Sequence, residues 1–258
     1  MGRDIVVFTL HRSGSMFLHH QCESLCAASG LPHHSPNTPG SGLAARRLLT
    51  DPEVWRSRHG CFAPVRFYVD VPGLDEFDIM LHLRDPRDVL VSMFYSYCYI
   101  HVGDVAPNTG YRKVAAEEGI DAFVLAKASE ASGRYRGDYG TGGHVEDLIG
   151  SVARRYQDYI QHLLGRANVT LLRYEEMVTD YPRWLAKLSQ PFPLANRQQL
   201  LEQWAAQASS LFPKRTSDVM SHMRHVTPGD FRNKLRPETI RQLNGSFAAT
   251  LEALGYER

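Results

Sequence analysis

The first residues that could do chemistry lie near the amino end of the chain. Residues 11–15 read His-Arg-Ser-Gly-Ser, and they stand between an apolar, β-branched run and a helical pattern. Backbone N–H groups at the start of a helix, together with the helix dipole, form a site for an anion such as phosphate. Arginine and serine side chains add further donors. The segment therefore predicts a phosphate-binding turn.

This turn differs from the P-loop of nucleoside triphosphatases. That loop follows the pattern GxxxxGK[ST], and residues 9–17 contain neither its first glycine nor its lysine followed by serine or threonine. A magnesium-dependent kinase is therefore disfavoured. Because a purely structural turn between a strand and a helix is the alternative interpretation, a phosphate site needs a second feature.

A second segment with phosphate-binding residue types begins at Arg84. This arginine ends a predicted strand, and Ser92 lies two turns into the helix that follows. Asp85 is suited to cap that helix, with Pro86 as its first residue and Asp88 near its positive end. An arginine fork and a serine hydroxyl on one side can hold one phosphate. The alternative is that Arg84 only pairs with Asp88.

The elements that must position these residues alternate between strands and helices. This alternation predicts an α/β fold in a single domain, residues 1–258, with a central parallel sheet flanked by helices. A loop rich in proline and glycine is expected at 31–42. The predicted strands are 5–10, 62–69, 78–83 and 169–173, and the clearest predicted helices are 15–28, 145–164 and 237–254.

Composition narrows the possible functions. The 29 basic and 28 acidic side chains nearly cancel, which argues against a broad surface for nucleic acid or for a charged membrane. Since no run approaches the roughly 20 apolar residues that span a bilayer, we predict a cytoplasmic protein without a membrane partner. The 4 cysteines lack paired spacing, so we expect buried free thiols rather than disulfides or a zinc site.

Four motifs, taken in chain order, are similar to those of the PAPS-dependent sulfotransferases, where PAPS is 3′-phosphoadenosine 5′-phosphosulfate. The resemblance implies a P-loop-like sulfotransferase fold and transfer of a sulfuryl group. It also extends to the C-terminal helix, over 247–256. The motifs are 9–17 for the 5′-phosphosulfate loop, 84–92 for the 3′-phosphate segment, 171–177 for a strand followed by Tyr-Glu, and 223–231 for the late Gly-Asp-aromatic segment.

The resemblance implies a donor site for PAPS and a role for each matching residue. Arg12 replaces the family's lysine beside the bridging oxygen, so it would stabilise the leaving group and act in catalysis. Phe17 would stack on adenine, or alternatively pack in the core. The residues implied to bind the donor are Arg12, Ser13, Gly14, Ser15, Met16, Phe17, Arg84, Ser92, Tyr174 and Arg224.

The resemblance also assigns residues to the 3′-phosphate and the adenosine of the donor. Arg84, Ser92 and Arg224 would hold the 3′-phosphate, and Tyr174 would contact the adenosine. The chain departs from the family where His225 and Val226 follow Arg224 in place of lysine and glycine. Residues 209–210, both serine, are further candidates for the adenine side.

The acceptor must lose a proton, and the resemblance implies a histidine ahead of the 3′-phosphate segment as general base, for which His59 is the nearest candidate. The rivals are His11, His101, Asp70 and Asp104. We predict in-line transfer, without a metal, to a hydroxyl or amine of a small-molecule acceptor covered by residues 97–143. Two alternatives remain open at this point, namely an ATP-dependent phosphotransferase and a catalytically silent nucleotide-binding protein, and the sequence does not define the oligomeric state.

Overall fold

The computed structural model describes residues 3–35, 53–56, 59–100, 108–129, 150–206 and 227–258. The chain divides into two compact units. The first unit comprises residues 1–83 and 163–212, and the second comprises residues 84–162 and 213–258. The prediction of one domain over the whole chain stays a prediction.

The first unit contains a five-stranded sheet. Its strands are β1 (Ile5–Thr9), β2 (His33–His34), β3 (Cys61–Val65), β4 (Asp78–Leu83) and β5 (Val169–Arg173). They lie in the order β2-β3-β1-β4-β5, and every neighbouring pair is parallel. The predicted central parallel sheet is confirmed. Strand β2 was not predicted, because its two histidines lie in the expected loop at 31–42.

Strand β1 forms the middle of the sheet because its residues suit burial on both faces. All five of its residues are buried, as expected for a β-branched, apolar strand in a parallel sheet. β1 pairs with β4 in an unbroken register from Ile5 with Asp78 to Thr9 with His82. The loop after β1 therefore begins level with the carboxyl-terminal part of β4.

Eleven α-helices are seen in the described residues, and most follow the predicted pattern. The first begins at Ser15, as expected from the sequence. The helices are α1 (Ser15–Ser29), α2 (Glu53–Arg56), α3 (Pro86–Tyr95), α4 (Asn108–Ala128), α5 (Val152–His162), α6 (Tyr174–Thr179), α7 (Tyr181–Leu188), α8 (Arg197–Ala206), α9 (Phe231–Lys234), α10 (Pro237–Ser246) and α11 (Ala248–Leu254).

In its described residues, the second unit is helical. A π-helix, Ser96–Ile100, follows α3. Aromatic side chains fill the interior of this unit: Phe94 packs edge-on against Phe123 at 5.4 Å between ring centroids, and Tyr156 packs against Phe247 at 6.2 Å. Such pairs stabilise a core beyond the area that they bury.

The described residues also bear on two expectations from composition. None of their helices is both long enough and apolar enough to cross a membrane. All four cysteines are free and buried, as predicted, and burial raises the pKa of the Cys61 thiol well above its usual value.

Candidate active site

The turn between β1 and α1 has an unusual backbone. Arg12 adopts a left-handed conformation with φ 69°, and no other described residue except glycine has a positive φ. The Ser13 N–H donates to the Leu10 carbonyl oxygen at 3.3 Å, which closes the turn. Such backbone strain in a side-chain-bearing residue concentrates at functional sites. The strained residue is the one that the resemblance assigns to catalysis.

Helix α1 begins without a side-chain cap. Its N-cap is Gly14, with φ 73°, and the first turn contains no acidic residue. The first intrahelical bond runs from the Leu18 N–H to the Gly14 carbonyl oxygen, so the N–H groups of Ser15 and Met16 have no acceptor within the helix. This uncapped start carries the positive end of the helix dipole and favours an anion.

Polar atoms beside the turn also lack partners. Ser13 is fully buried, and its Oγ has no hydrogen-bond partner in the part of the chain that the structure describes. Near the end of β1, the Thr9 Oγ1 lies 3.4 Å from the His82 Nδ1. His82 is also fully buried, and burial lowers its pKa to about 3, so the ring stays neutral at pH 7. Unpartnered buried polar atoms are uncommon and call for an explanation.

The structure places Tyr174 beside the turn, and its predicted contact with the adenosine stays a prediction. A Cβ built on Gly14 would lie 3.0 Å from the Met177 Cε and 3.2 Å from the Tyr174 Cε2. The turn thus needs glycine both for its positive φ and for this close approach. Phe17 packs against Tyr181 and Trp184, with ring centroids 5.9 and 6.1 Å away. This packing matches the alternative interpretation of Phe17, and stacking on adenine stays a prediction.

Arg66 is a residue near the turn to which the sequence analysis gave no role. It follows the last residue of β3 and donates from Nη2 to the Met16 Sδ at 3.2 Å. In the segment 66–70, beyond β3, Phe67 and Val69 are buried while Arg66, Tyr68 and Asp70 are accessible. An arginine directly after a buried strand, as also at Arg84, was the signal that could have identified it.

The structure does not bring His59 to the turn. His59 is 85% exposed and lies before β3, with its Nδ1 3.6 Å from the Asp4 Oδ1. Strands β1 and β3 are parallel, with Ile5 opposite Cys61. The turn follows the other end of β1, roughly 13 Å away along a five-residue strand. His59 therefore lies at the opposite edge of the sheet, too far to take a proton at the turn.

In the second unit, Arg84 lies before α3 and is almost completely buried. Its Nη2 is 3.8 Å from the Asp88 Oδ2, so the alternative pairing considered from the sequence is present. Asp88 also accepts the N–H groups of Gly229 and Phe231, at 2.7 and 3.0 Å. Burial raises the pKa of the Asp88 carboxyl, although Arg84 and these donors act in the opposite direction. Ser92 lies further along α3 and is half-buried.

The start of α3 is capped as predicted. The Asp85 Oδ1 accepts the Arg87 N–H at 2.9 Å, and Pro86 is the first helical residue. The Arg87 guanidinium donates to Asp85 at 2.6 and 3.0 Å and to the Asn244 Oδ1 at 2.7 Å. It also lies 4.1 Å from the centroid of the Phe231 ring. Arg87 thus connects the start of α3 with α9 and α10 within the second unit.

Several predicted residues lie outside the described residues. Arg224, the third predicted ligand of the 3′-phosphate, is one of them. The others are Ser209, Ser210, His101 and Asp104.

These features agree with the comparison of the chain with known families. The sulfotransferase domain family matches residues 75–255, which is well over half of the 258 residues. The chain belongs to this family, and the predicted enzyme class, a PAPS-dependent sulfotransferase, is confirmed at that level. The turn at residues 11–15 precedes the matched range.

Solved structures show the same fold. A mouse sulfotransferase, SULT7A1, complexed with PAP is 19% identical, with a TM-score of 0.64 over 96% of this chain and 84% of that one. Retinol dehydratase with androsterone and the inactive cofactor PAP is 13% identical, with a TM-score of 0.58 over 96% and 80%. A complex of retinol dehydratase with retinol and PAP reaches 0.51 at 12% identity, over 96% and 81%. No curated protein matches the sequence.

Proposed function

We propose that the chain transfers the sulfuryl group of PAPS to a hydroxyl or amine of a small-molecule acceptor and releases 3′-phosphoadenosine 5′-phosphate (PAP). The observation that carries this proposal is the uncapped start of α1, preceded by Arg12 in a left-handed conformation. The solved relatives that contain PAP, and in two cases androsterone or retinol, support the donor and the small-molecule acceptor.

The turn would bind the 5′-phosphosulfate. The N–H groups of Ser15 and Met16 and the buried Ser13 hydroxyl offer donors to its oxygens. In the reaction, the bond between sulfur and the bridging oxygen breaks while a bond from sulfur to the acceptor atom forms. Negative charge grows on the bridging oxygen, which stays with PAP. A fixed cation at Arg12 stabilises this charge more in the transition state than in the ground state.

Recognition of the 3′-phosphate would separate PAPS from ordinary adenine nucleotides. Arg84, Ser92 and Arg224 are the proposed ligands. Arg84 is nearly buried beside Asp88, so its guanidinium is held in one place before the nucleotide arrives. A preorganised arginine loses less freedom on binding a phosphate than a mobile one does.

In place of His59, the proposed proton acceptor is Asp70, one of the rivals named from the sequence. Tyr68 donates through its hydroxyl to the Asp70 Oδ1 at 3.5 Å, and both side chains are accessible beyond the carboxyl end of β3. We expect Asp70→Asn to lower kcat strongly, because it removes the proposed proton acceptor. Tyr68→Phe should have a smaller effect. A wild-type kcat for Asp70→Asn would exclude this assignment.

Three earlier predictions stay proposals. The cytoplasmic location and the absence of a metal in the reaction are two of them. The third is that residues 97–143 cover the acceptor. Residues 101–107 and 130–143 of this segment lie outside the described ranges, and α4 (Asn108–Ala128) forms a helix where the sequence predicted a loop region.

A transfer assay tests the proposal. The chain is incubated with sulfur-labelled PAPS and a panel of phenols, alcohols and amines, in the presence of EDTA, and labelled product and PAP are measured. We expect label to reach at least one acceptor in proportion to the PAP released. Transfer from ATP only with magnesium would instead identify a phosphotransferase. Tight PAP binding with no transfer to any acceptor would identify a silent nucleotide-binding protein.

A further inference from the structure

Helix α1 carries a group of metal-binding side chains one turn beyond its start. His19, His20 and Glu23 each offer one ligand atom, and these three atoms all lie within 4.8 Å of one another. The His20 Nδ1 is 3.5 Å from the Glu23 Oε2. These residues have no role in the proposed sulfuryl transfer, so their arrangement needs a separate explanation.

The position of His19 distinguishes this group from an ordinary exposed cluster. The His19 Nδ1 is buried and has no hydrogen-bond partner among the described residues. Its ring lies near two others, with centroids 5.1 Å from His20 and 5.0 Å from His33. The His33 Nε2 in turn lies 2.9 Å from the Ala63 carbonyl oxygen. A buried nitrogen without a partner is unfavourable, and a ligand that binds it removes that cost.

The access to the group suits an ion from solvent. The side chains of His20 and Glu23 are 65% and 59% exposed, and His19 is partly exposed. An ion can therefore enter from solvent on the side of the two exposed residues.

We propose that His19, His20 and Glu23 form a binding site for a divalent transition-metal ion of the zinc type. Two imidazoles and one carboxylate are a recurrent zinc ligand set, with a fourth position left for water. Imidazole favours zinc, copper, nickel and cobalt over magnesium and calcium. Metal–ligand distances of about 2.0–2.2 Å place tetrahedral ligands roughly 3.4 Å apart, close to the 3.5 Å between His20 and Glu23.

The expected consequence is a local clamp on α1. Residues 20 and 23 lie on neighbouring turns of the helix, so a shared ion would tie one turn to the next. A ligand that binds only the folded chain raises its stability. The site would therefore stabilise the helix that begins at the phosphate-binding turn, whether or not the proposed transfer reaction occurs.

Cobalt and zinc titrations test the site. The full chain, without a histidine tag and stripped of metal, is titrated with Co²⁺ by absorption spectroscopy and with Zn²⁺ by calorimetry. We expect one ion per chain, the visible bands of tetrahedral Co²⁺ without thiolate charge-transfer bands, and a higher Tm with Zn²⁺. His20→Ala and Glu23→Gln should each weaken binding by about 100-fold or more, because loss of an outer partner alone costs about 10- to 100-fold.

The control variant is His162→Ala, which removes a histidine from the end of α5 in the second unit. It should bind both ions as the wild type does. Three results would overturn the proposal: no one-to-one binding, thiolate bands that identify the cysteines as ligands, or affinities in His20→Ala and Glu23→Gln equal to those of the control. Since the assay measures metal binding alone, its outcome is independent of the transfer reaction.

Discussion

Helices α1 and α3 each begin soon after a strand of the sheet, yet their first turns are built in opposite ways. At α3, Asp85 caps the helix and the Arg87 guanidinium is held by Asp85 and Asn244. At α1, the N-cap is Gly14 and no side chain caps the helix. In a capped first turn, a side chain accepts a hydrogen bond from a backbone N–H group and stabilises the helix. In an uncapped first turn, the N–H groups remain available to bind an anion.

The same contrast holds for the buried polar groups nearby. In the second unit, Asp88 accepts two backbone N–H groups and pairs with Arg84. In the first, the Ser13 Oγ and the His82 Nε2 are buried with no partner within the described ranges. Functional sites commonly give up stability in this way.

The largest expected effect is the loss of stability in acid caused by His82. Its pKa is lowered from 6.5 unfolded to about 3 folded, so the unfolded chain binds a proton first as the pH falls. Stability is therefore intact above pH 6.5 and decreases toward pH 3, by up to about 5 kcal/mol from this residue. Urea unfolding of His82→Leu between pH 7 and 4 should show a weaker pH dependence, whereas the exposed His59→Leu should match the wild type.

The next largest expected effect is the loss of unfolding free energy when the N-cap of α3 is removed. Asp85→Ala deletes the N-cap and leaves the Arg87 guanidinium buried without its carboxylate, which should cost about 3–5 kcal/mol of unfolding free energy. The matched control is Asp75→Ala, since Asp75 pairs with Arg166 but is 85% exposed and should lose at most about 1 kcal/mol. Equal losses in urea unfolding would remove the distinction between the two helix starts.

The positive charge of Arg12 is expected to increase the kcat of the proposed sulfuryl transfer. Arg12→Ala is expected to lower kcat about 10²- to 10³-fold, as loss of a transition-state donor does, with a smaller change in PAP affinity. Arg12→Lys should restore much of the rate because it keeps the positive charge. Arg183→Ala, which removes an exposed arginine of α7, serves as the control and should keep the wild-type kcat. A full rate for Arg12→Ala would exclude its catalytic role.

The smallest effect comes from adding an acid to α1. Met16 lies in the first turn, is 53% exposed and contacts Arg66, so Met16→Glu adds an acid to the helix start, beside Arg66, without burying a charge. Relative to Met16→Gln, the glutamate should stabilise the unliganded chain by up to about 1 kcal/mol and weaken PAP binding several-fold. Thermal unfolding measures the change in stability, and calorimetry measures the change in PAP affinity. If both quantities moved in the same direction, the helix start would not be the anion site.

The fold was largely accessible from the sequence because strong local signals coincide with its elements. The apolar run at β1 and the Asp-Pro start of α3 predicted their elements closely. β2 was missed because a two-residue edge strand of histidines carries no apolar pattern.

Contiguous motifs and strand direction contribute differently to the candidate site. Residues 12–15 and Tyr174, proposed from contiguous motifs, lie near one another in the structure, and their contacts with the donor stay predictions. His59 was chosen by residue type, yet it lies at the amino end of β3. Arg66 lies at the other end of that strand and was overlooked. Only the register of β1 with β3 shows which end of a strand faces the turn.

A calorimetric titration of the wild-type chain with PAP, beside AMP and ATP, with and without magnesium, decides whether the chain contains the proposed donor site for PAPS. We expect tight binding of PAP that is independent of magnesium, with much weaker binding of AMP and ATP. A preference for ATP with magnesium, or equal affinities for PAP and AMP, would exclude this donor site.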